Sequence, residues 1–363
     1  MKVLIISNYK DAFNSVRPEG ALLIGLKKAG IDLTIMTQAD TAFVKEFEKA
    51  GIPIIDFFVE KKWSWSAIKC IRAELKNGAY DIVHSFYSQA ISNTNFAAIG
   101  LPVKVLTYRG VVGITKWYNP NSYLKHLHPR VDAITAASKA VQQYLQKHFF
   151  WNKKKVKQFY KGQDLDWYRD LKKSDLTQFK IPENAFVVAC IANVRRWKGI
   201  RFLIKATDFL PTNLSIHFLL IGRNMDNSEN LKLINQSVYK NNFHLVGYRT
   251  DAINLVAASQ VYIQPSYGKE GLGKGILEAM SVGTPPIVTN SGGPPEFVKD
   301  GQSGLVIPVK APKAIATAIL KLFKNEPLRK QLSTGAKAQI SGLMSIENSV
   351  KNMMGIYKEV LDS

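Results

Sequence analysis

The sequence is poor in acidic residues and in cysteine. It holds 28 Asp and Glu against 49 Lys and Arg, which gives a formal net charge of +21 at pH 7. A charge of this size implies an anionic partner: nucleic acid, anionic lipid headgroups or phosphorylated substrates. The two cysteines, Cys70 and Cys190, stand far apart. They offer no paired zinc spacing and are too few for a disulfide framework.

Long apolar runs are also missing. No run approaches the roughly 18 to 20 residues that a membrane-spanning helix needs. The opening MKVLIIS is short, and no cleavage-site pattern follows it. We therefore interpret the opening as a first β-strand and expect a cytoplasmic protein.

Several signatures of other protein classes are absent. The G-x-G-x-x-G fingerprint is missing, which argues against a nicotinamide dehydrogenase. No helix-turn-helix, zinc finger or RNP-like strand is present, so we expect no nucleic-acid partner. His, Asp and Glu do not cluster at the spacing of metal ligands, and we predict no cofactor.

Short apolar runs alternate with amphipathic stretches along the chain, which is typical of parallel sheets covered by helices. The rhythm lapses in a polar stretch between positions 161 and 183 and then restarts. We predict a Rossmann-like domain over 1–163, a second over 164–345, and a C-terminal helix over 346–363 that returns to the first domain. Open α/β sheets bind ligands at the carboxyl ends of their strands, so the two domains are expected to face a cleft.

The strongest candidate for chemistry is the stretch KEGLGKGILEAMSVG. Glu270 falls in the predicted turn after a strand, and Glu278 falls within the predicted helix. Their separation corresponds to about 12 Å along a helix, so the carboxylates cannot share a proton or a metal. They can instead hold the two ends of one extended ligand. The amides of Gly271, Leu272 and Gly273, near the helix start, are a predicted cradle for phosphate.

This arrangement fits a nucleotide sugar. Carboxylates accept hydrogen bonds from sugar hydroxyls, while amides and cations hold a diphosphate. The plainer alternative is that Glu270 only favours the helix dipole and that Glu278 lies on a solvated face.

Two further segments are candidates for phosphate binding. In IANVRRWKG, the side chains of Arg195, Arg196 and Lys198 follow a predicted strand and could clamp a diphosphate, although a solvated loop is the alternative. In SVRPEGALLIG, Gly20 precedes a predicted helix and would let a phosphate approach its start. A plain turn is the more common meaning of a single glycine.

Taken in order, these residues resemble the family-4 retaining glycosyltransferases of the GT-B fold. The E-x7-E element EGLGKGILE, followed by AMSVGTPPIVTNSGG and PEFVKDGQSGLVIP, is similar to the EAM-G-P-V and GG-E-dG-G signature of that family. The segments YDIVHS, SKAVQQYL and IQPS also fall in the order of the family. The resemblance covers nearly the whole chain.

The resemblance implies a retaining transfer without a metal ion, since protein cations and helix ends stabilise the leaving diphosphate. It also implies site roles: Glu270 for donor-sugar hydroxyls, Glu278 for the ribose, Arg195 or Arg196 with Lys198 for the diphosphate, and Gly20 close to that diphosphate.

The chain departs from the family pattern at two positions. TYRG places Arg109 where the family often has a histidine near the transferred sugar, and Asn193 stands where an arginine is usual. An arginine cannot act as a general base at ordinary pH, so we expect Arg109 to contact an anion or a sugar hydroxyl. His84, His126 and His128 in the same half are predicted to be structural.

Two basic segments with interleaved aromatic residues, KKWSWSAIK and WNKKKVKQFYKG, fall in the half that the resemblance assigns to the acceptor. Polybasic segments gain about 1 kcal/mol per Lys or Arg at an anionic membrane surface. We therefore predict peripheral attachment to the inner leaflet and a lipid-linked or lipopolysaccharide-core saccharide acceptor. The alternative is that these lysines only keep the protein soluble.

A UDP-sugar is favoured over GDP-mannose as the donor. A sugar phosphorylase or a sugar-phosphate synthase on the same fold is the competing function, and a basic nucleic-acid-binding protein is a remote one.

Overall fold

The computed structural model describes residues 1–10 and 13–363. Within them, the chain divides into two compact units. Unit 1 comprises Met1–Gly162 together with Ile346–Ser363, and unit 2 comprises Gln163–Ser345. The boundary lies one residue before the predicted one, and the C-terminal segment is part of unit 1.

Unit 1 is built on a parallel sheet with helices packed against it. Its strands are β1 (Lys2–Ile6), β2 (Asp32–Thr37), β3 (Ile54–Asp56), β4 (Ile82–Ser85), β5 (Lys104–Arg109), β6 (Ala133–Ala136) and β7 (Val156–Gln158). Its first helices are α1 (Phe13–Lys28), α2 (Val44–Lys49), α3 (Trp65–Gly78), α4 (Ser88–Ala97), α5 (Pro120–Tyr123) and α6 (Lys139–His148). The strand order is β3-β2-β1-β4-β5-β6-β7, and all pairs are parallel.

Unit 2 repeats this architecture. Its strands are β8 (Phe186–Ile191), β9 (Ile216–Ile221), β10 (Phe243–Leu245), β11 (Val261–Gln264), β12 (Pro286–Thr289) and β13 (Leu305–Ile307). Its helices are α7 (Ile200–Ala206), α8 (Ser228–Gln236), α9 (Ala252–Ala258), α10 (Lys274–Ser281), α11 (Pro312–Lys324) and α12 (Glu326–Ser341). The parallel strands follow the order β10-β9-β8-β11-β12-β13.

Local sequence explains these elements. The central strands are continuous apolar runs such as VLII and FVVAC and are buried, as expected for parallel strands covered on both faces. Two helices of unit 1 begin at serine caps: Ser64 Oγ accepts from the Ala67 amide at 3.3 Å, and Ser138 Oγ accepts from the Val141 amide at 3.3 Å. The predicted fold class, two doubly wound parallel sheets, is confirmed.

The last helix, α13 (Ile346–Leu361), packs against α1 within unit 1. Gly25 makes this approach possible, because a Cβ at that position would lie 2.4 Å from Cγ2 of Val350. Met353, Ile356 and Tyr357 of α13 join the core beneath β1 and β4. The C-terminal helix therefore completes the hydrophobic core of unit 1.

The strand order of each sheet reverses at one point, between β1 and β4 in unit 1 and between β8 and β11 in unit 2. Open α/β sheets bind ligands in the crevice at such a switch point, beyond the carboxyl ends of the strands. In unit 2 the loops that follow β8 and β11 hold the cations and the first glutamate singled out in the sequence. In the described residues, every helix is too short or too polar to span a lipid bilayer.

The predicted position of Gly20 at a helix start is wrong. Gly20 lies in the middle of α1, and a Cβ there would come within 1.9 Å of Cε1 of Phe43. Its absent side chain therefore serves the packing of α1 on the Phe43 ring, away from the helix start. Pro18, a residue type common in a first helical turn, also lies inside this helix, so the chain is already helical well before Gly20.

Candidate functional site

Glu270 lies in the turn between β11 and α10, as predicted. Its side chain is only 8% exposed, and its Oε1 accepts hydrogen bonds from Lys198 Nζ at 2.6 Å and from Ser266 Oγ at 2.8 Å. Lys198 belongs to the turn that follows β8, whereas Ser266 follows β11. The carboxylate therefore joins the two strand ends that flank the switch point of unit 2.

Two glycines fix the backbone around this ion pair. At Gly199 φ is +72°, and a Cβ would lie 2.0 Å from the Pro265 carbonyl oxygen. At Gly292 φ is also +72°, and a Cβ would lie 2.3 Å from the Glu270 carbonyl oxygen. No side chain fits at either position without moving the backbone next to Lys198 or Glu270.

Gly271, Leu272 and Gly273 lie directly before α10, with Gly273 as its N-cap at φ +78°. In the part of the chain that the structure describes, the amides of these three residues donate to no protein acceptor. Unpaired amides at a helix start favour an anion, because they are donors at the positive end of the helix dipole. The turn beside Glu270 therefore has free donors for a phosphate group.

Glu278 lies in the second turn of α10 and does not occupy a solvated face. Its side chain is 12% exposed and accepts a hydrogen bond from Lys274, one helical turn earlier. A Cβ at the neighbouring Gly275 would lie 2.6 Å from the Tyr262 hydroxyl oxygen. The helix start is thus packed closely on β11, with the second carboxylate held in place by an i,i+4 pair.

Of the three predicted cations, the structure brings only Lys198 to Glu270. Arg195 and Arg196 line, together with Arg201, a surface cavity of about 420 Å³ beside α8. The guanidinium of Arg195 lies 5.4 Å from the ring centroid of Trp197. Asn193, which replaces the usual arginine, accepts a hydrogen bond from the Arg223 amide at 3.3 Å. Lys198 therefore contacts Glu270, whereas Arg195 and Arg196 line the cavity beside α8.

In unit 1, Arg109 ends β5 and lines a cavity of about 180 Å³. Its Nε donates to the Val111 carbonyl oxygen at 3.0 Å, and its Nη2 donates to the Gly113 carbonyl oxygen at 2.6 Å. Burial lowers the pKa of the guanidinium from its ordinary value. The side chain nevertheless stays positively charged, as arginine does in proteins. Lys125 lines the same cavity, with its Nζ donating to Ser88 Oγ at 2.5 Å.

Sequence reasoning missed three of these polar residues. Ser266 could have been predicted, because it ends the segment IQPS, two residues after β11. Lys274 was also within reach, since it stands four residues before Glu278 in a predicted helix. Lys125 could not have been predicted as a site residue, because the segment around it matches no motif.

Two family models match the chain, the one described as "Glycosyltransferase Family 4" over residues 21–167 and the one described as "Glycosyl transferases group 1" over residues 172–339. The chain belongs to the group 1 glycosyltransferases. The resemblance drawn from the E-x7-E element is thereby confirmed.

Curated relatives of this group 1 glycosyltransferase include an uncharacterized glycosyltransferase, MJ1069, of Methanocaldococcus jannaschii. It is 28% identical over 66% of this chain and 61% of its own length. The lipopolysaccharide core biosynthesis glycosyltransferase LpsE of Rhizobium meliloti is 27% identical over 51% of this chain and 56% of its own length. The chain thus matches little more than half the length of these relatives.

Solved structures show the same architecture. Anabaena Alr3699/HepE in complex with UDP-glucose aligns with a TM-score of 0.77 at 20% identity, covering 99% of this chain and all of that chain. At 20% identity this likeness shows the fold alone, and this chain therefore has the GT-B fold.

Proposed function

We propose that this glycosyltransferase transfers a sugar from a nucleotide diphosphate sugar to a cell-envelope saccharide and retains the anomeric configuration. The observation that carries the proposal is the Lys198–Glu270 pair at the switch point of unit 2, beside three unpaired amides. The printed names of the relatives support it: LpsE acts in lipopolysaccharide core biosynthesis, and HepE was solved with UDP-glucose.

The contacts of unit 2 suggest which residues bind each part of the donor. Glu270 would accept hydrogen bonds from the sugar hydroxyls, and Glu278 would accept them from the ribose hydroxyls. Lys198 and the amides of residues 271–273 would stabilise the charge that develops on the leaving diphosphate. Arg195 and Arg196, in the same turn as Lys198, would add to the positive potential that attracts the donor.

The transfer proceeds as a substitution at the anomeric carbon. An acceptor hydroxyl oxygen forms a bond to that carbon on the face from which the diphosphate departs, while the bond from carbon to the diphosphate oxygen breaks. The hydroxyl proton passes to the leaving diphosphate oxygen. Protein cations and backbone amides supply the charge stabilisation, so the proposed reaction is metal-independent.

A ligand titration followed by product analysis tests this function. We expect UDP to raise the melting temperature by roughly 5 to 10 °C at 100 times its Kd, because a ligand that binds only the native state stabilises it by about 2.7 kcal/mol. GDP and ADP are expected to do less. Proton NMR of the first product formed from a UDP-sugar should show the anomeric configuration of the donor.

Three results would contradict the proposal: no melting shift with any nucleoside diphosphate, an inverted product, or transfer only to inorganic phosphate or a free sugar phosphate. The last result would instead favour a phosphorylase or a sugar-phosphate synthase.

We also propose that unit 1 attaches to the anionic inner leaflet of the membrane. Trp65 is 67% exposed and Phe150 is 60% exposed, with Trp151 packed edge-on against Phe150 at 5.0 Å between ring centroids. The 3₁₀ segment Lys153–Lys155 begins two residues after Trp151. Aromatic rings favour the headgroup level, and lysines favour anionic lipid.

Flotation with liposomes tests the attachment. The protein is expected to float with vesicles of phosphatidylcholine and phosphatidylglycerol and to remain behind with phosphatidylcholine alone. Replacing Trp65 and Trp151 by alanine should reduce flotation several-fold, because both rings are exposed on unit 1. Phe209→Ala is the control, since that ring is about as exposed as Trp151 but belongs to unit 2. Equal flotation with both vesicle types would argue against the proposal.

A further inference from the structure

The cavity at the end of β5 is lined by two cationic side chains. Arg109 and Lys125 both line its volume of about 180 Å³, and none of its described lining residues is an aspartate or a glutamate. Within the described ranges 1–10 and 13–363, neither cation forms an ion pair with a carboxylate. Both side chains are half-buried, and cations with reduced access to water are usually paired, so this cavity is an exception.

Both cations have N–H donors beyond those used in their contacts with the protein. Arg109 uses its donors on the carbonyl oxygens of Val111 and Gly113, and Lys125 donates to Ser88 Oγ. A guanidinium carries five N–H groups and an ammonium three, so each retains donors beyond these contacts. The contacts with the protein fix the two side chains without saturating them.

The electrostatics of the neighbouring groups agree with this description. Burial lowers the pKa of Lys125, and the charges of Lys62 and Arg109 lower it further. Burial, together with Arg109 and Lys125, lowers the pKa of His126 to about 3. The charges of Lys62, Arg109 and Lys125 therefore all disfavour an additional positive charge here, and a bound anion would offset their positive potential.

The size and the lining of the cavity restrict the anion. A volume of about 180 Å³ corresponds to roughly six water molecules, which is enough for a phosphate group and less than a whole nucleotide fills. Neutral hydrogen-bonding groups complete the wall: Ser88, Thr115, Asn119, Asn121 and Ser122. These groups suit the oxygen atoms of a phosphate and the hydroxyls of an attached sugar.

We infer that this cavity binds a phosphate group of the acceptor, with the planar guanidinium of Arg109 contacting two oxygens and Lys125 acting as a point charge. Calling the ligand an acceptor rests on the proposed function, whereas the anion site itself does not. The acceptor is then a phosphorylated molecule, with the phosphate either on a lipid or on a sugar.

The test uses the full chain and the variant Lys125→Met, which keeps the length of the side chain and removes its charge. The probes are inorganic phosphate, octyl phosphate and glucose 6-phosphate, titrated by calorimetry with saturating UDP present so that unit 2 is occupied. Lys125→Met is expected to weaken phosphate binding at least tenfold. Lys45→Met, which removes an exposed lysine of α2, should leave binding unchanged.

The stability of the free protein gives a second readout. Because the charge of Lys125 has no carboxylate partner, Lys125→Met should leave the melting temperature unchanged or raise it. A structural lysine would behave in the opposite way: the variant would melt several degrees lower while phosphate binding stayed at the wild-type level. That combination, or an absence of binding of all three probes to the wild type, would overturn the inference.

The three probes also separate the sources of the phosphate. Tighter binding of octyl phosphate than of glucose 6-phosphate assigns the phosphate to a lipid anchor, and the reverse assigns it to a phosphorylated sugar. Either result supports the anion site. The melting shift with UDP, measured in parallel, reports on unit 2 alone, so failure of the donor proposal and failure of the anion site are distinguishable.

Discussion

Replacing Glu270 by glutamine is expected to lower kcat for sugar transfer by about 100- to 1,000-fold, the range seen when one preorganised polar contact to a transition state is lost. The carboxylate is buried and accepts hydrogen bonds from Lys198 Nζ and Ser266 Oγ. An amide of the same size can still accept from Ser266, but it no longer attracts Lys198 electrostatically. Both the contact to the sugar and the position of the cation next to the diphosphate are therefore impaired.

The fold should tolerate this substitution, because shape and volume are preserved. We expect the melting temperature to change by only a few degrees and UDP to remain bound. Glu326→Gln is the matched control: that glutamate also pairs with a lysine, Lys330, but lies exposed at the start of α12 and should leave kcat unchanged. Wild-type activity in Glu270→Gln would remove Glu270 from the site, and loss of the fold would make the ion pair structural.

A double-mutant cycle sharpens this prediction. If Glu270 and Lys198 act as one unit, the rate loss of Glu270→Gln combined with Lys198→Met should be smaller than the product of the two single losses. Independent action of the two side chains would give the full product.

The sequence alone was sufficient for the turn and the helix of this site. Glycines around Glu270 marked the turn, and the apolar spacing of Ile276, Leu277 and Met280 marked α10. The Lys198–Glu270 contact was not predictable, since it joins residues 72 positions apart through the order of the strands. Spacing rules describe one element at a time, whereas this pair depends on which strands are neighbours.

Unit 1 illustrates the same limit. Lys161 Nζ lies 2.5 Å from Glu19 Oε2 and 3.9 Å from the ring centroid of Tyr108. The Tyr9 hydroxyl donates to Glu19 Oε1 at 3.0 Å. The sequence did not indicate the Lys161–Glu19 pair, because each of these two residues is one of many charged residues in the chain. Their pairing depends on α1 and the end of the sheet meeting in three dimensions.

Unit 1 is expected to lose stability as the pH falls below about 6.5, and His84 is expected to be one main cause. His84 lies on β4 with no exposed surface. Its Nδ1 is 3.0 Å from the Tyr357 hydroxyl oxygen, and its Nε2 is 2.9 Å from Thr135 Oγ1. Burial, with a smaller contribution from the charge of Lys161, lowers its pKa to about 3. The ring is therefore neutral in the folded protein over the whole physiological range.

The sign of the effect follows from proton binding. In the unfolded chain a histidine has a pKa of about 6.5, so between pH 6.5 and 3 the unfolded state binds a proton that the folded state does not. The contribution of His84 is fully present above pH 6.5 and is lost as the pH falls, at about 1.4 kcal/mol per pH unit. At pH 5 the loss is about 2 kcal/mol, and His126, whose pKa is also lowered to about 3, adds a similar amount.

His84→Asn separates this titration from the other acid-sensitive groups. An asparagine can still pair with hydroxyl groups but does not titrate, so the variant is expected to be less stable at pH 8 and to lose about 2 kcal/mol less than the wild type between pH 8 and pH 5. Urea unfolding at both pH values measures the difference. His148→Asn is the control, because that ring, at the end of α6, is less deeply buried and its pKa is lowered less far. If His84→Asn and the wild type lose the same stability between the two pH values, the buried histidine is not what couples unit 1 to pH.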